Sequence, residues 1–297
     1  MAIDVNWSNP YHDRRGSWLK GNMHTHSAMG RVGVMVPAEE LLEIYGRAGY
    51  DFLAISDHMA VTVPQCGGPI AITGVEWNSE SGEHTGIYGL DAELLRGAVE
   101  VSDHGELLAH LRDKDVLVVL NHPNWQMRPH YRREELEGKE FFDAIEIYNG
   151  LIEVLAGYAI STDKWDYLLT KGRRVLGLAS DDTHAREHIG KGWFHVRAAE
   201  RSSAGVLAAI RSGNFYCTNG VEIIDIRRNG SVIEVETADA EEICVISDGG
   251  GRIAQTDGSA ISFTVPNPPP TYVRFEAYGR GSSMAWTQPF FCGPDGT

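Results

Sequence analysis

As far as Gly220, short runs of β-branched and aliphatic residues alternate with stretches whose apolar residues recur at helical spacing. The runs at 18–26, 51–57, 70–78, 116–122, 143–149 and 174–181 read as strands. Helical spacing covers 37–48 with Pro37 at its start, 103–113 behind a Ser102 cap, 163–171, and 203–212. Strands alternating with helices of this length predict a parallel sheet or barrel. Beyond Gly220 the texture changes. Residues 223–228 and 231–237 flank Asn229-Gly230, which reads as a hairpin on a type I′ turn. Strand patterns follow at 242–247, 260–265, 272–278 and 284–291, separated by Asp248-Gly249-Gly250-Gly251, by the proline run 266–270 and by the glycines around Arg280. The expectation is an α/β unit over 1–220 carrying a small antiparallel β appendix over 221–297.

The composition suits a soluble globular protein: 297 residues, 42% hydrophobic and 23% charged, exclude a disordered or collagenous chain. A net charge of −15 repels a phosphate backbone, so long nucleic acid is not the expected partner, whereas a small anionic substrate in a local cleft remains compatible. Cys66, Cys217, Cys244 and Cys292 are far apart and form no CxxC pair, which argues against a zinc knuckle or a redox couple. The N-terminus carries an early aspartate and no apolar signal core, and no apolar run is long enough to span a bilayer. A cytoplasmic location without membrane attachment is the expectation; the oligomeric state is not legible.

Candidate chemistry gathers at the C-terminal ends of the expected strands. His24-Thr25-His26 closes the first, Asp57-His58 the second, Glu76 lies in the third, Asn121-His122-Pro123 closes the fourth, and Asp181-Asp182-Thr183-His184 the strand at 174–181. In a parallel barrel these ends share one mouth, so residues distant in sequence converge there. Near a strand end, residues two apart project to the same side, which lets two imidazoles approach one cation. A mixed N/O donor set suits Zn, Mn or Fe, and the lack of thiolates argues against a closed structural zinc site. All twelve histidines precede the appendix.

The series Gly21-Asn22-Met23-His24-Thr25-His26, Ile55-Ser56-Asp57-His58, Gly74-Val75-Glu76, His84-Thr85-Gly86, Asn121-His122-Pro123 and Ser180-Asp181-Asp182-Thr183-His184 resembles the PHP (polymerase and histidinol phosphatase) superfamily of metal-dependent phosphoesterases, over residues 17–220. The resemblance implies a distorted (βα)7 barrel with two or three divalent metals at its mouth. It implies His24, His26, Glu76 and Asp182 on a first metal, Glu76 bridging to a second completed by His84 and His122, and His58 with His184 on a third. The third set is one ligand short, because the segment after His26 reads Ser27-Ala28-Met29-Gly30-Arg31 where an acidic residue or histidine is usual. Asp181 would then support a ligand or cap a loop.

That ligand set implies hydrolysis of a small phosphate ester by a hydroxide bridging two metals, with Glu76 shared between them. His58 or His184 would protonate the leaving group if the third metal is absent. Arg31, Arg128, Arg186 and Lys191 are candidate contacts to a substrate anion, with surface solvation the alternative for each. Glu146 would orient a ligand histidine or satisfy backbone. Trp77, Trp125 and Trp193 would wall an apolar pocket or fill core. The segment Phe215 to Gly220 and the appendix behind it resemble a carbamate-hydrolase-like branch, so carboxylic or carbamate ester hydrolysis is the alternative reaction. A non-catalytic metal-containing binding module is the alternative outside enzymes.

Overall fold

A computed structural model describes residues 9–29, 36–64, 67–126 and 131–292. Arg31, Cys66, Arg128 and His130 lie outside the described residues.

The wall of the site is built by β1 (Ser17–Asn22), β2 (Phe52–Ile55), β3 (Ile70–Asn78), β4 (His84–Gly89), β5 (Val116–Leu120), β6 (Ala144–Asn149) and β7 (Leu176–Ser180), adjacent in that order. β2, β5, β6 and β7 are buried at every position, which is why β2 and β5 read as unbroken apolar runs and β6 is apolar except for Glu146 and the terminal Asn149. Six helices are described: α1 (Ala38–Arg47), α2 (Ala92–Val99), α3 (His104–Leu111), α4 (Arg133–Gly138), α5 (Thr162–Thr170) and α6 (Ser203–Arg211). α1 shows how they pack: Leu41, Leu42 and Tyr45 form its buried stripe, while Glu39 and Arg47 sit at the ends favoured by the helix dipole. α3 is capped by Asp103, whose carboxylate accepts from Glu106 N at 2.9 Å, so the cap falls one residue after the expected Ser102.

The wall is not a uniform repetition of βα units. β3 pairs parallel with β2, but β4 runs antiparallel to both β3 and β5. The sequence hides β4 because its apolar residues are interrupted by Gly86 and Gly89. Gly86 has a packing cause, since a Cβ there would sit 2.6 Å from the Tyr88 hydroxyl. The two ends of the wall meet at the mouth, where Thr25 and Thr183 form an isolated parallel bridge and His26 N donates to Thr183 O at 3.1 Å.

β8 (Trp193–Ala198) and β9 (Phe215–Thr218), both unanticipated, carry the sheet on from β1 in antiparallel steps. Through β16 (Met284–Thr287), β15 (Tyr272–Tyr278), β12 (Glu242–Ser247) and β13 (Gly251–Asp257) the same sheet runs into the appendix. A two-residue strand, β17 (Phe290–Phe291), pairs with β15. Only β10 (Ile223–Asn229), β11 (Val232–Thr237) and β14 (Ala260–Thr264) form a separate three-stranded sheet. The β10–β11 turn is shifted by one residue from the expected position. Asn229 pairs with Val232, so Gly230 and Ser231 are the central pair, and of these only Gly230 has positive φ (58°). That fits the type II′ requirement and not the type I′ one. The appendix also closes the barrel wall: Gln288 holds Gly177 N at 3.0 Å and Gly177 O at 2.8 Å, the latter shared with the Cys217 thiol of β9 at 3.1 Å.

Candidate metal centre

Each candidate ligand but one arrives on the last residues of a wall strand or just beyond it; His84, on the antiparallel β4, arrives at its start. His24 and His26 follow β1, His58 follows β2, Glu76 lies in β3, His84 opens β4, His122 follows β5, and Asp182 and His184 follow β7. His24, His26, Glu76, His122 and Asp182 are buried, and His58, His84 and His184 face the cleft partly exposed. Met59, His122 and Asp182 have positive φ of 51°, 30° and 51°; they are three of the four non-glycine residues that do so among the described residues. Backbone strain of this kind persists only where surrounding structure enforces it, and here it clusters on two ligand candidates and the neighbour of a third. At Asp182 it turns the chain so that adjacent carboxylates part. Asp182 enters the centre, whereas Asp181 turns away and accepts from the backbone of Gly190, Lys191 and Gly192 at 3.1, 2.6 and 2.8 Å and from the Tyr45 hydroxyl at 2.8 Å. Asp181 is thus a loop cap, and burial lifts its pKa to about 6.

The donor atoms converge. His24 Nε2 lies 3.1 Å from His26 Nε2, 3.2 Å from Asp182 Oδ1 and 3.3 Å from Glu76 Oε1. Glu76 Oε1 is also 3.1 Å from His84 Nδ1 and 3.2 Å from His122 Nε2, and Glu76 Oε2 is 2.8 Å from His58 Nδ1. Four triads bring one ligand atom each within 4.8 Å of one another: His24, His26 and Glu76; His24, His122 and Asp182; His58, Glu76 and His84; and His26, His58 and His184. The grouping differs in part from that implied by the resemblance. His122 stands with His24 and Asp182 as well as near Glu76, and His58 stands with Glu76 and His84 as well as with His184. His26 joins His58 and His184, supplying the third donor that the segment after His26 lacked.

This donor set fits divalent cations. The buried His26 Nδ1 has no hydrogen-bond partner, although polar atoms at such depth are normally paired, and Glu76 Oε2 meets only imidazole nitrogens, the nearest His58 Nδ1 at 2.8 Å. His24 is held by Glu146, whose Oε1 lies 2.7 Å from His24 Nδ1, so Nε2 is left as the free lone pair facing the cluster. Burial disfavours charge on His24, yet Asp182, Glu146 and Glu76 outweigh it and raise its pKa well above the ordinary value. His58 is raised to about 9 by Glu76 against the same burial, while burial drives His26 down to about 3. Despite burial, Glu76 and Asp182 are held well below the usual carboxylate range by neighbouring imidazoles. The carboxylates create a demand for positive charge that protonated imidazoles meet when no cation does.

Several supporting residues went unassigned in the sequence. Asn121 Nδ2 donates to Glu76 Oε1 at 2.8 Å, and Asn149 Nδ2 donates to Glu146 Oε2 at 2.9 Å and to Asp182 Oδ2 at 3.1 Å. Asp57 is a strut: it accepts from Ser27 N at 2.5 Å, Ser27 Oγ at 2.7 Å and Thr62 Oγ1 at 2.5 Å, fixing the turn after His26. A position at a strand end was the available signal for all three, beside a ligand for Asn121 and Asp57 and without one for Asn149. Of the cationic candidates within the described residues, Arg186 is exposed and pairs with Glu40, and Lys191 is exposed; neither lines the cleft. Trp77 is core, its indole donating to Val101 O at 2.7 Å, and Lys20 sits over the Trp193 ring. Trp125 does stand at the site, its ring centroid 5.4 Å from that of His84 and 5.2 Å from that of His122. His104 and His195 belong to hydrogen-bond networks outside the cluster, whereas His188 Nδ1 accepts from the backbone N–H of the candidate ligand His184 at 3.2 Å.

In front of the cluster lies a cleft of about 680 Å³. Among the described residues no lysine or arginine lines it. No described helix is long and apolar enough to cross a membrane.

The architecture is that of PHP-like phosphoesterase structures. A two-domain protein from Bacteroides vulgatus, containing a predicted PHP-like metal-dependent phosphoesterase, superposes with a TM-score of 0.54 over 93% of this chain and 91% of that one, at 15% identity. The lesion-specific endonuclease EndoQ from Pyrococcus furiosus superposes with a TM-score of 0.52 over 67% of this chain and 56% of that one, at 12% identity. No protein-family model and no curated protein matches the chain.

Proposed function

We propose that the chain is a metal-dependent hydrolase of a small phosphate ester, and that the eight converging residues His24, His26, His58, Glu76, His84, His122, Asp182 and His184 hold two or three Zn, Mn or Fe ions. The observation that carries this reading is the sharing of Glu76: its two oxygens lie within 3.5 Å of ring nitrogens from five histidines, an arrangement suited to a carboxylate between cations. Bound divalent ions would lower the pKa of a water and neutralise charge developing on the ester. The chain's own residues do the rest. Glu146 fixes the His24 tautomer, Asn121 orients Glu76, and Asn149 ties Asp182 to Glu146. His58 and His184, which open onto the cleft, are the groups placed to return a proton to the departing oxygen when they do not hold metal.

A net charge of −15 supports a small-molecule substrate over long nucleic acid, and the scattered, hydrogen-bonded thiols Cys217 and Cys244 suit a reducing cytoplasm. The boundary proposed after Gly220 divides the metal-bearing barrel from the β-rich remainder. A second reading, hydrolysis of a carboxylic or carbamate ester, is favoured by one observation, the lack of a cationic side chain along the described cleft wall.

Metal content by elemental mass spectrometry, paired with turnover of aryl phosphate, phosphodiester and carboxyl ester substrates under Mn²⁺ or Zn²⁺, tests the proposal. Two or more ions per chain with phosphoester turnover is the expected result. Turnover of carboxyl or carbamate esters alone would select the second reading. A protein that binds metal and cleaves none of them would be a binding module.

A further inference from the structure

We infer that the cleft selects esters carrying an extended apolar group, so that the substrate is amphiphilic; this rests on the hydrolase reading above. Beside the metal cluster the cleft is walled by Met59, Trp125, Leu151, Ile152 and Leu155, with Asn78 and Ser79 as its remaining lining residues. A cleft for a sugar or nucleotide phosphate needs polar groups along its length, whereas outside the cluster only Asn78 and Ser79 offer them here, and both side chains are engaged, Asn78 Oδ1 with His58 Nδ1 at 3.0 Å and Ser79 Oγ with the backbone N–H groups of Gly82 and Glu83.

The loop that carries Leu151, Ile152 and Leu155 is apolar outside the cleft as well. Val154 is 66% exposed and Tyr158 69% exposed on the same loop that supplies Leu151, Ile152 and Leu155. A loop connecting β6 to α5 is ordinarily polar, and a run of large apolar side chains directed to solvent marks a contact surface. Its placement is fixed from the metal side. Asn149 Oδ1 accepts from Leu151 N at 3.1 Å and Ile152 N at 3.2 Å, while its Nδ2 donates to Asp182 Oδ2 at 3.1 Å. One side chain therefore sets both the start of the apolar wall and a metal-binding carboxylate, holding wall and cluster in register. Trp125 adds a flat apolar face beside His84 and His122.

The test is titration of metal-loaded protein with methyl-, butyl- and hexylphosphonate, which carry the same anionic head and resist hydrolysis. Affinity should tighten by about fourfold per methylene from methyl to butyl, and the dependence should flatten in Leu155→Asp and in Leu155→Ser, a surface position that folding tolerates. Equal affinity for methyl- and hexylphosphonate, or no binding of either, would overturn the inference. Release of phosphate from the matching n-alkyl phosphates, with n-alkyl acetates run in parallel, separates it from the hydrolase reading. Chain-length-dependent binding with no hydrolysis of any ester sinks that reading and keeps the cleft, whereas hydrolysis indifferent to chain length sinks the cleft alone.

Discussion

Glu146 Oε1 and His24 Nδ1 meet at 2.7 Å with both side chains buried, and the same carboxylate accepts His122 N at 2.7 Å through Oε2. Glu146 thus sets the orientation of one ligand imidazole through its ring and of another through its backbone. Glu146→Gln keeps the shape but removes the charge that holds Nδ1 protonated. The expected outcome is a loss of metal affinity of about 10–100-fold, with the far-ultraviolet circular dichroism unchanged. Competition against a chelating dye measures it. An unchanged affinity would reduce Glu146 to a backbone strut.

Metal binding by the folded chain raises its stability, because the unfolded chain holds no such cluster. At a free metal concentration a hundredfold above Kd the gain is about 2.7 kcal/mol. Thermal unfolding with Mn²⁺ or Zn²⁺, against the same protein in chelator, should show this shift, and Glu76→Ala should abolish it. His24→Ala and Glu76→Ala should each remove turnover while leaving the fold intact; activity in both would sink the metal mechanism.

A pH effect separate from the metal centre comes from His104. Lys139 Nζ lies 2.9 Å from His104 Nδ1 and can only donate, so Nδ1 is unprotonated and Nε2–H faces Thr85 Oγ1 at 2.9 Å. Burial, aided by Lys139, lowers the His104 pKa to about 4. The unfolded chain takes up this proton below about 6.5 and the folded chain only near 4. Stability is therefore full above pH 6.5 and falls as pH drops through that window, by up to about 3 kcal/mol. Denaturation at pH 7 and pH 4.5 should show a smaller acid loss in His104→Gln than in the unsubstituted protein. Equal losses would show that the imidazole charges without cost.

The strand-end positions of His24, His26, His58, His122 and Asp182 were legible because buried parallel strands print as apolar runs, and the polar residue that ends a run is visible against it. Ile70–Asn78, Glu242–Ser247 and Tyr272–Tyr278 match their expected limits for the same reason of pattern. β4 was not legible, since Gly86 is dictated by Tyr88 and Gly89 stands against Val116, contacts that no spacing rule encodes. Nor was the sharing of donors among triads, which depends on how close neighbouring strand ends stand. Glu146 was visible as a polar residue in a buried strand, but only the position of His24 on the adjoining barrel wall assigns its partner.

The join between barrel and appendix gives the last prediction. Arg274 in β15 is 1% exposed and is gripped by Asp166 of α5, Nε to Oδ1 and Nη2 to Oδ2 both at 2.7 Å, with Nη1 2.7 Å from Glu276 Oε1. Tyr272 Oη donates to Asp166 Oδ1 at 2.7 Å, and the Trp165 ring lies 5.1 Å from the guanidinium. A buried bidentate pair of this kind adds little net stability over an apolar replacement of both partners, but removing one partner strands the other. Arg274→Met should therefore cost about 3–5 kcal/mol in chemical denaturation, and Asp166→Asn added to it should recover part of that loss. Because Asp166 lies before Gly220 and the residues that pair with and cover it lie after, residues 1–220 expressed alone would lose the Tyr272 and Arg274 contacts and leave an uncovered β9 edge where β16 pairs. That fragment should unfold at lower denaturant than the whole chain; equal stability would make the barrel an independent unit.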